Sequence, residues 1–366
     1  MLTRRAFVKT GAEAAAAGFF GFFIQTPPAR REVSIGRRRI KVVDVHGHLS
    51  VPEVADIIKG TKLAPAGAGR GGGGGDQEGG LVLGAERLKA IDEQGIDVQV
   101  LSVNAFWYSA ERELARQIVA VENEKLSAWC AAHPDRFVGL ATVSLQFPDL
   151  AAEQLEYGIK KLGLRGAAIG GSVEGEELSS PKFDPFWAKA QELGVLVFMH
   201  PRNAPGTTQN QRLRGRGGLG NTVGNPLETT VFLSHLIFEG TLDKFPRLRV
   251  CAAHAGGYLP SYLGRSEAAC TRDPQNCAGM KRKFGEYFRD QILIDSMVFR
   301  EEGLRHLVAE MGARQIVYGT DMPFPWPVGV DFILRASFLS DADKEAILGG
   351  TLVKLLRIGN SAGASL

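Results

Sequence analysis

Eight short apolar runs, each followed by a segment of helical periodicity, divide the chain, and this alternation constrains the fold more than any other feature. The runs are 40–45, 98–103, 137–143, 166–169, 195–199, 248–253, 291–295 and 316–318. Apolar runs without alternation read as strands buried on both faces, and strands that alternate with helices form parallel sheets. Eight such units predict a closed (β/α)8 TIM barrel rather than an open doubly wound sheet. Helices are expected over 86–94, 111–132, 150–162, 184–193, 227–239, 258–269 and 301–311, with Gly95 and His133-Pro134 as stops for the first two. At 366 residues the chain is long enough for one barrel of this size.

Barrels of this kind carry their catalytic groups just after the C-terminal ends of the strands. His46 and His48 close the first run, in Val-Val-Asp-Val-His-Gly-His-Leu-Ser. Two apart on extended backbone, they point to one side. His200 closes the fifth run, His254 the sixth, Asp295 the seventh and Asp321 the eighth. Four of only seven histidines thus fall at strand ends, which chance placement explains poorly. Three imidazoles and one carboxylate suit a borderline divalent ion, most often zinc, with a position left for water. The expected ligands are His46, His48, His200 and Asp321. His254 is then left near the ion as general acid or base, with Asp321 as its partner in moving protons. Asn104 and Trp107 follow the second strand, and Phe324 and Trp326 follow Asp321. They are candidate pocket residues, although for the aromatics hydrophobic packing is an equal explanation.

Seven motifs occur in order along the chain: Asp-Val-His-Gly-His (44–48), Ala-Ile-Asp-Glu-Gln-Gly-Ile-Asp-Val-Gln-Val (90–100), Met-His-Pro (199–201), His-Ala-Gly-Gly (254–257), Leu-Gly-Arg (263–265), Ile-Asp-Ser-Met-Val-Phe (294–299) and Gly-Thr-Asp-Met-Pro-Phe-Pro (319–325). Together they resemble the amidohydrolase superfamily, in the branch typified by aminocarboxymuconate semialdehyde decarboxylase. The resemblance implies a mononuclear metal barrel with His254 as the catalytic histidine. The fourth strand end, Ile169-Gly170-Gly171-Ser172, has no lysine to carry a bridging carbamate, which supports one divalent ion, Zn2+ or alternatively Mn2+. The reaction implied is non-oxidative decarboxylation of an aromatic or enol-type carboxylic acid. Hydrolysis of an amide, ester or lactone is the alternative, ahead of hydration or a non-catalytic binding role. Arg265 matches a family arginine that reaches a neighbouring subunit's site, which implies a homodimer. The family's substrate-binding arginine after the first strand would fall where Arg70 is the only arginine. Arg202, where the family has an aromatic residue, is the other candidate for a substrate carboxylate.

Outside the barrel, 1–30 resembles a bacterial twin-arginine export signal: Thr3-Arg4-Arg5-Ala6-Phe7-Val8-Lys9 precedes a moderately apolar run. The expectation is a periplasmic protein delivered by the twin-arginine export machinery, cleaved or anchored by an uncleaved segment, with 31–366 as the barrel domain. The 63–80 segment, with glycine at 71–75, and the polar 203–225 segment are expected as flexible loops. Gly-x-Gly-x-x-Gly at 215–220 follows polar loop rather than a strand, which excludes a dinucleotide fingerprint. A net charge of +3 is too small to argue for nucleic acid. Cys251 reads as core. Cys270 and Cys277 are the pair placed to bridge in an oxidising compartment, though nothing else demands it.

Overall fold

The eight expected strands all form, and each pairs in parallel with the next in sequence. In this computed structural model, residues 30–64 and 80–359 are described, except 203 and 328. The strands are β1 (Val43–Leu49), β2 (Val98–Val103), β3 (Phe137–Gly139 and Ala141–Thr142), β4 (Gly166–Ile169), β5 (Leu196–Met199), β6 (Arg249–Ala252), β7 (Ile292–Asp295) and β8 (Ile316–Val317). The two halves of β3 serve different neighbours, the first pairing with β2 and the second with β4. Closure comes from β8 and the segment after it. Val45 donates its N–H to the Tyr318 carbonyl at 2.9 Å, and His48 donates to the Met322 carbonyl at 2.8 Å. Gly47 and Met322 form a parallel bridge at the same seam. The sheet is therefore a closed barrel.

The strand residues separate into two layers. Val43, Val45, Val98, Val100, Leu140, Ala168, Phe198, Cys251, Leu293 and Val317 belong to one buried cluster, the barrel interior. Alternate residues such as Leu101, Val103, Ala167, Val197, Val250 and Ile294 belong to a second cluster, packed with the helices. The period of two along a strand produces both layers from one apolar run.

The helices used below are α1 (Val54–Ile58), α2 (Ala85–Gln94), α3 (Arg112–Ala132), α4 (Pro148–Lys160), α5 (Asp184–Leu193), α6 (Asn225–Phe238), α7 (Leu263–Arg272), α8 (Phe284–Asp290) and α9 (Glu301–Met311). Gly95 stops α2 in the left-handed conformation, φ 74°, as a C-terminal cap. The helix expected from 258 starts only at Leu263, because Pro260 opens a separate 3-10 turn, Pro260–Tyr262. Cys270, on α7, is disulfide-bonded to Cys277 on the 3-10 turn Pro274–Cys277. Two hairpins too short to leave a pattern, Ser34–Ile35 with Arg38–Arg39 and Ser172–Val173 with Glu176–Glu177, complete the sheet structure. The export-type segment and residues 65–79 of the glycine-rich insertion, Arg70 included, lie outside the described residues.

Candidate metal centre

The two histidines of β1 are aimed by a local irregularity. The pairing of β1 with β2 shifts register between Asp44 and Gly47. A Cβ on Gly47 would stand 2.7 Å from the Gln99 side chain and 3.0 Å from the Val100 carbonyl, so only glycine fits between the histidines. The result is a tight triangle of ligating atoms. His46 Nε2 lies 3.0 Å from His48 Nε2, and Asp321 Oδ1 lies 3.1 Å from the first and 2.7 Å from the second. Atoms bound to one ion at about 2.1 Å stand about 3 Å apart, which is the spacing seen. His200 adds a stronger signal. It is buried, and among the described residues neither of its ring nitrogens has a hydrogen-bond partner. Leaving such a group unpaired is costly unless something else binds it. Ligating atoms of His46, His200, His254 and Asp321 all fall within 4.8 Å of one another. The residues present therefore fit a single divalent ion.

A second contact fixes the His46 imidazole. Asp295 Oδ2 is 2.7 Å from His46 Nδ1, so Nδ1 carries a proton and Nε2 is the nitrogen turned towards His48 and Asp321. The same carboxylate accepts the backbone N–H groups of His254 at 2.9 Å and Ala255 at 2.7 Å. Those two residues lie at φ 56° and 57°, and Trp107 and Asp321 also adopt positive φ, at 53° and 61°. Four strained non-glycine residues thus gather at one site, where the surroundings must hold them in place. Beneath the triangle, Asp44 accepts from Gln99 Nε2 at 2.8 Å and Thr320 Oγ1 at 2.7 Å. Buried Arg87 ties Gln99 Oε1 at 3.0 Å to the His48 carbonyl at 2.8 Å.

Charge follows this geometry. Burial lowers His48 and His254 to about 4 and holds His200 well below its ordinary value, so all three are neutral at pH 7. Burial also opposes charge on His46, but Asp321 and Asp295 outweigh it and raise His46 to about 10. Asp321 is likewise opposed by burial, yet His46 and His48 hold its carboxyl far below the usual range. An arriving ion must displace the His46 proton, so affinity falls in acid.

The triangle lies in a cavity of about 490 Å³. Asn104, Trp107, Arg202, Phe324 and His254 line it, as expected from sequence. Asn104 Nδ2 is 3.4 Å from His48 Nε2, and the Phe324 ring is 5.8 Å from the His48 ring. Arg202 is exposed at the rim and has no ion-pair partner among the described residues. Thr208, Gly220, Asn221 and Asn225 bring the 203–225 segment onto the cavity. Arg265 does not join them. It is exposed on α7 and contributes nothing to this cavity. Three residues take roles that sequence reading left unassigned: Asp295, Trp326, whose Nε1 donates to Asp321 Oδ2 at 2.7 Å, and Glu122. The last had a visible signal, an acid within the buried stripe Ala115, Ile118, Val119, Glu122, Leu126 of α3.

The family model described as amidohydrolase matches residues 43–358. The chain belongs to the amidohydrolase family. This amidohydrolase is 32% identical over 274 residues to 2-amino-3-carboxymuconate-6-semialdehyde decarboxylase of Dictyostelium discoideum, covering 74% of this chain and 75% of that one. It is 33% identical over 274 residues to gamma-resorcylate decarboxylase of Rhizobium sp. strain MTP-10005, covering 71% and 83%. Among solved structures, 2,6-dihydroxybenzoate decarboxylase from Rhizobium superposes with a TM-score of 0.76 at 28% identity, covering 88% of this chain and 100% of that one. Dihydroxybenzoic acid decarboxylase from Polaromonas sp. JS666, solved with manganese and the inhibitor 2-nitroresorcinol, gives 0.77 at 27% identity, covering 89% and 100%.

Proposed function

We propose that this amidohydrolase is a metal-dependent, non-oxidative decarboxylase of an aromatic carboxylic acid. One observation carries the reading. A convergent His/Asp cluster opens on an aromatic-lined cavity, in a chain that spans 83% and 86% of two gamma-resorcylate decarboxylases at 33% and 32% identity. His46, His48, His200 and Asp321 are the ligands. His254, whose Nε2 lies 4.0 Å from Asp321 Oδ2, is the acid–base group that the family resemblance implies. The imidazole-rich set favours zinc, and the manganese-bound Polaromonas relative makes manganese the alternative. When bound, the ion supplies electrostatic stabilisation of negative charge on substrate oxygens.

The chain's own residues supply the remainder. Arg202 at the rim offers a guanidinium fork to the substrate carboxylate. Trp107, Phe324 and Trp326 present faces and edges to a flat ring. In the reaction the bond from ring carbon to carboxylate breaks, its electron pair stays on the carbon, CO2 leaves and a proton is delivered to that carbon. His254 and Asp321 are the pair through which that proton, taken up from solvent, passes to the carbon.

Arg265, exposed and away from its own cavity, is the residue through which we read a homodimer, each copy reaching its partner's site. The Cys270–Cys277 disulfide supports an oxidising compartment, in keeping with periplasmic export through the twin-arginine machinery. The test of function is to offer the metal-loaded protein a panel of hydroxybenzoates and a panel of lactones. CO2 release without lactone opening is expected, and lactone opening without CO2 release refutes the reading. His200→Ala and Asp321→Ala are each expected to lose the ion, and full metal content in both overturns the ligand set.

A further inference from the structure

The two oxygens of Asp321 have different surroundings. Oδ1 lies 2.7 Å from His48 Nε2 and 3.1 Å from His46 Nε2, in the triangle of ligating atoms. Oδ2 accepts the Trp326 indole N–H at 2.7 Å, and His254 Nε2 lies 4.0 Å from it. Among the described residues, Trp326 is the only hydrogen-bond partner of Oδ2. A carboxylate's oxygens are chemically equivalent, so only its surroundings can assign them separate tasks. Local chain geometry delivers the indole. Asp321 lies in the left-handed region, φ 61°. Phe324 then donates its backbone N–H to the Asp321 carbonyl at 3.0 Å, and Trp326 donates its own to the Phe324 carbonyl at 2.9 Å. Two successive turns fold the chain back, and a side chain five residues further on reaches the carboxylate. Phe299, past the end of β7, packs against the indole with ring centroids 5.5 Å apart. A tryptophan N–H suits this position. It donates, accepts nothing and carries no charge, so it holds the carboxylate without competing for an ion. Hydrogen bonds to an ionised acceptor are also stronger than neutral ones.

Resting on the reading of Asp321 as a metal ligand and proton carrier, we propose that Trp326 is a positioning residue for the reaction. Its indole N–H holds Asp321 Oδ2 beside His254 and thereby presents Oδ1, with His46 and His48, to the ion. The ring of Trp326 lines the cavity as well, but its N–H acts through Asp321 and not on the substrate.

The experiment removes the N–H and keeps the ring. In Trp326→benzothienylalanine, sulfur stands where the indole carries its N–H and the packing against Phe299 is retained. Trp326→Phe is the simpler companion variant. Zinc and manganese affinities are measured against a competing chelator with no substrate present. Losing a hydrogen bond that orients a ligand weakens metal binding by about 10–100-fold, and a loss of about tenfold is expected in both variants. On protein saturated with metal, kcat for a hydroxybenzoate is expected to fall about tenfold with KM within twofold of wild type, because Asp321 rather than the substrate has lost its hold. Metal affinity within twofold of wild type in the benzothienylalanine variant overturns the proposal. So does a raised KM with kcat unchanged, which is the mark of a residue that only walls the cavity. The affinity measurement needs no turnover, so it separates this inference from the one beneath it. Weakened metal binding in a protein that releases no CO2 from any hydroxybenzoate refutes the decarboxylase and keeps the Trp326 assignment, whereas CO2 release with unchanged metal affinity does the reverse.

Discussion

Asp295→Asn changes one atom and tests how the metal centre is held. Both oxygens of this buried carboxylate accept twice. Oδ2 faces His46 Nδ1 at 2.7 Å and the His254 N–H at 2.9 Å, while Oδ1 faces the Ala255 N–H at 2.7 Å and the Met297 N–H at 3.2 Å. An asparagine amide has one acceptor and one NH2 group. If its carbonyl faces His46, the NH2 opposes the N–H groups of Ala255 and Met297. Turned over, it opposes His46 and His254. Either way two buried donors lose their acceptor, at about 1–3 kcal/mol each, so a loss of roughly 2–6 kcal/mol in stability is expected. His46 also loses the negative partner that raises its basicity. Removing such a partner weakens metal binding by about 10–100-fold, or roughly 1.4–2.7 kcal/mol. The assays are urea unfolding of the metal-free protein and zinc or manganese titration against a competing chelator. Metal affinity within twofold of wild type refutes the idea that Asp295 sets the His46 tautomer.

Two further outcomes follow from the same geometry. Gly257→Ala is expected to cost about 3 kcal/mol or more in urea unfolding, because φ is 67° and the new Cβ would lie 2.2 Å from the Pro226 carbonyl, a backbone atom with nowhere to go; a loss under about 1 kcal/mol contradicts it. Glu122 makes stability depend on pH. Its folded pKa of about 8 lies above the ordinary 4.5, so between those values the folded state binds more protons than the unfolded chain. Its contribution is therefore fully present below about 4.5 and is lost as pH rises through about 8, a change of about 3–5 kcal/mol. Glu122→Gln should flatten that part of the stability–pH curve, and an unchanged slope rules the buried neutral acid out.

Much of the barrel was legible because its strands are short, largely apolar and separated by helix-patterned segments. The proposed ligands have a signal of the same kind, since each stands one to three residues past an apolar run. What was hidden depended on chain closure. Asp295 was visible as a strand-end acid, but its hold on His46 spans 249 residues and exists only because β7 and β1 share one barrel mouth. Arg265 matched a motif, but a motif match does not say where an exposed side chain works. The disulfide was obscured by helix limits. Residues 258–269 seemed to end before Cys270, whereas α7 runs to Arg272 and returns through the turn that carries Cys277. Glu122 sits at a helical core position, where periodicity reports burial and nothing about what lies on the other side.

On the proposed function, the cavity over His46, His48, His200 and Asp321 is where the bond between an aromatic ring and its carboxylate breaks. Metal-loaded protein turning over a hydroxybenzoate in D2O tests it directly. The expected result is one CO2 per phenol formed, with one deuteron on the carbon that lost the carboxylate, and no turnover after chelation until the ion is restored. Consumption of lactone or ester substrates to new acids, with no CO2 from any aromatic acid, would contradict it.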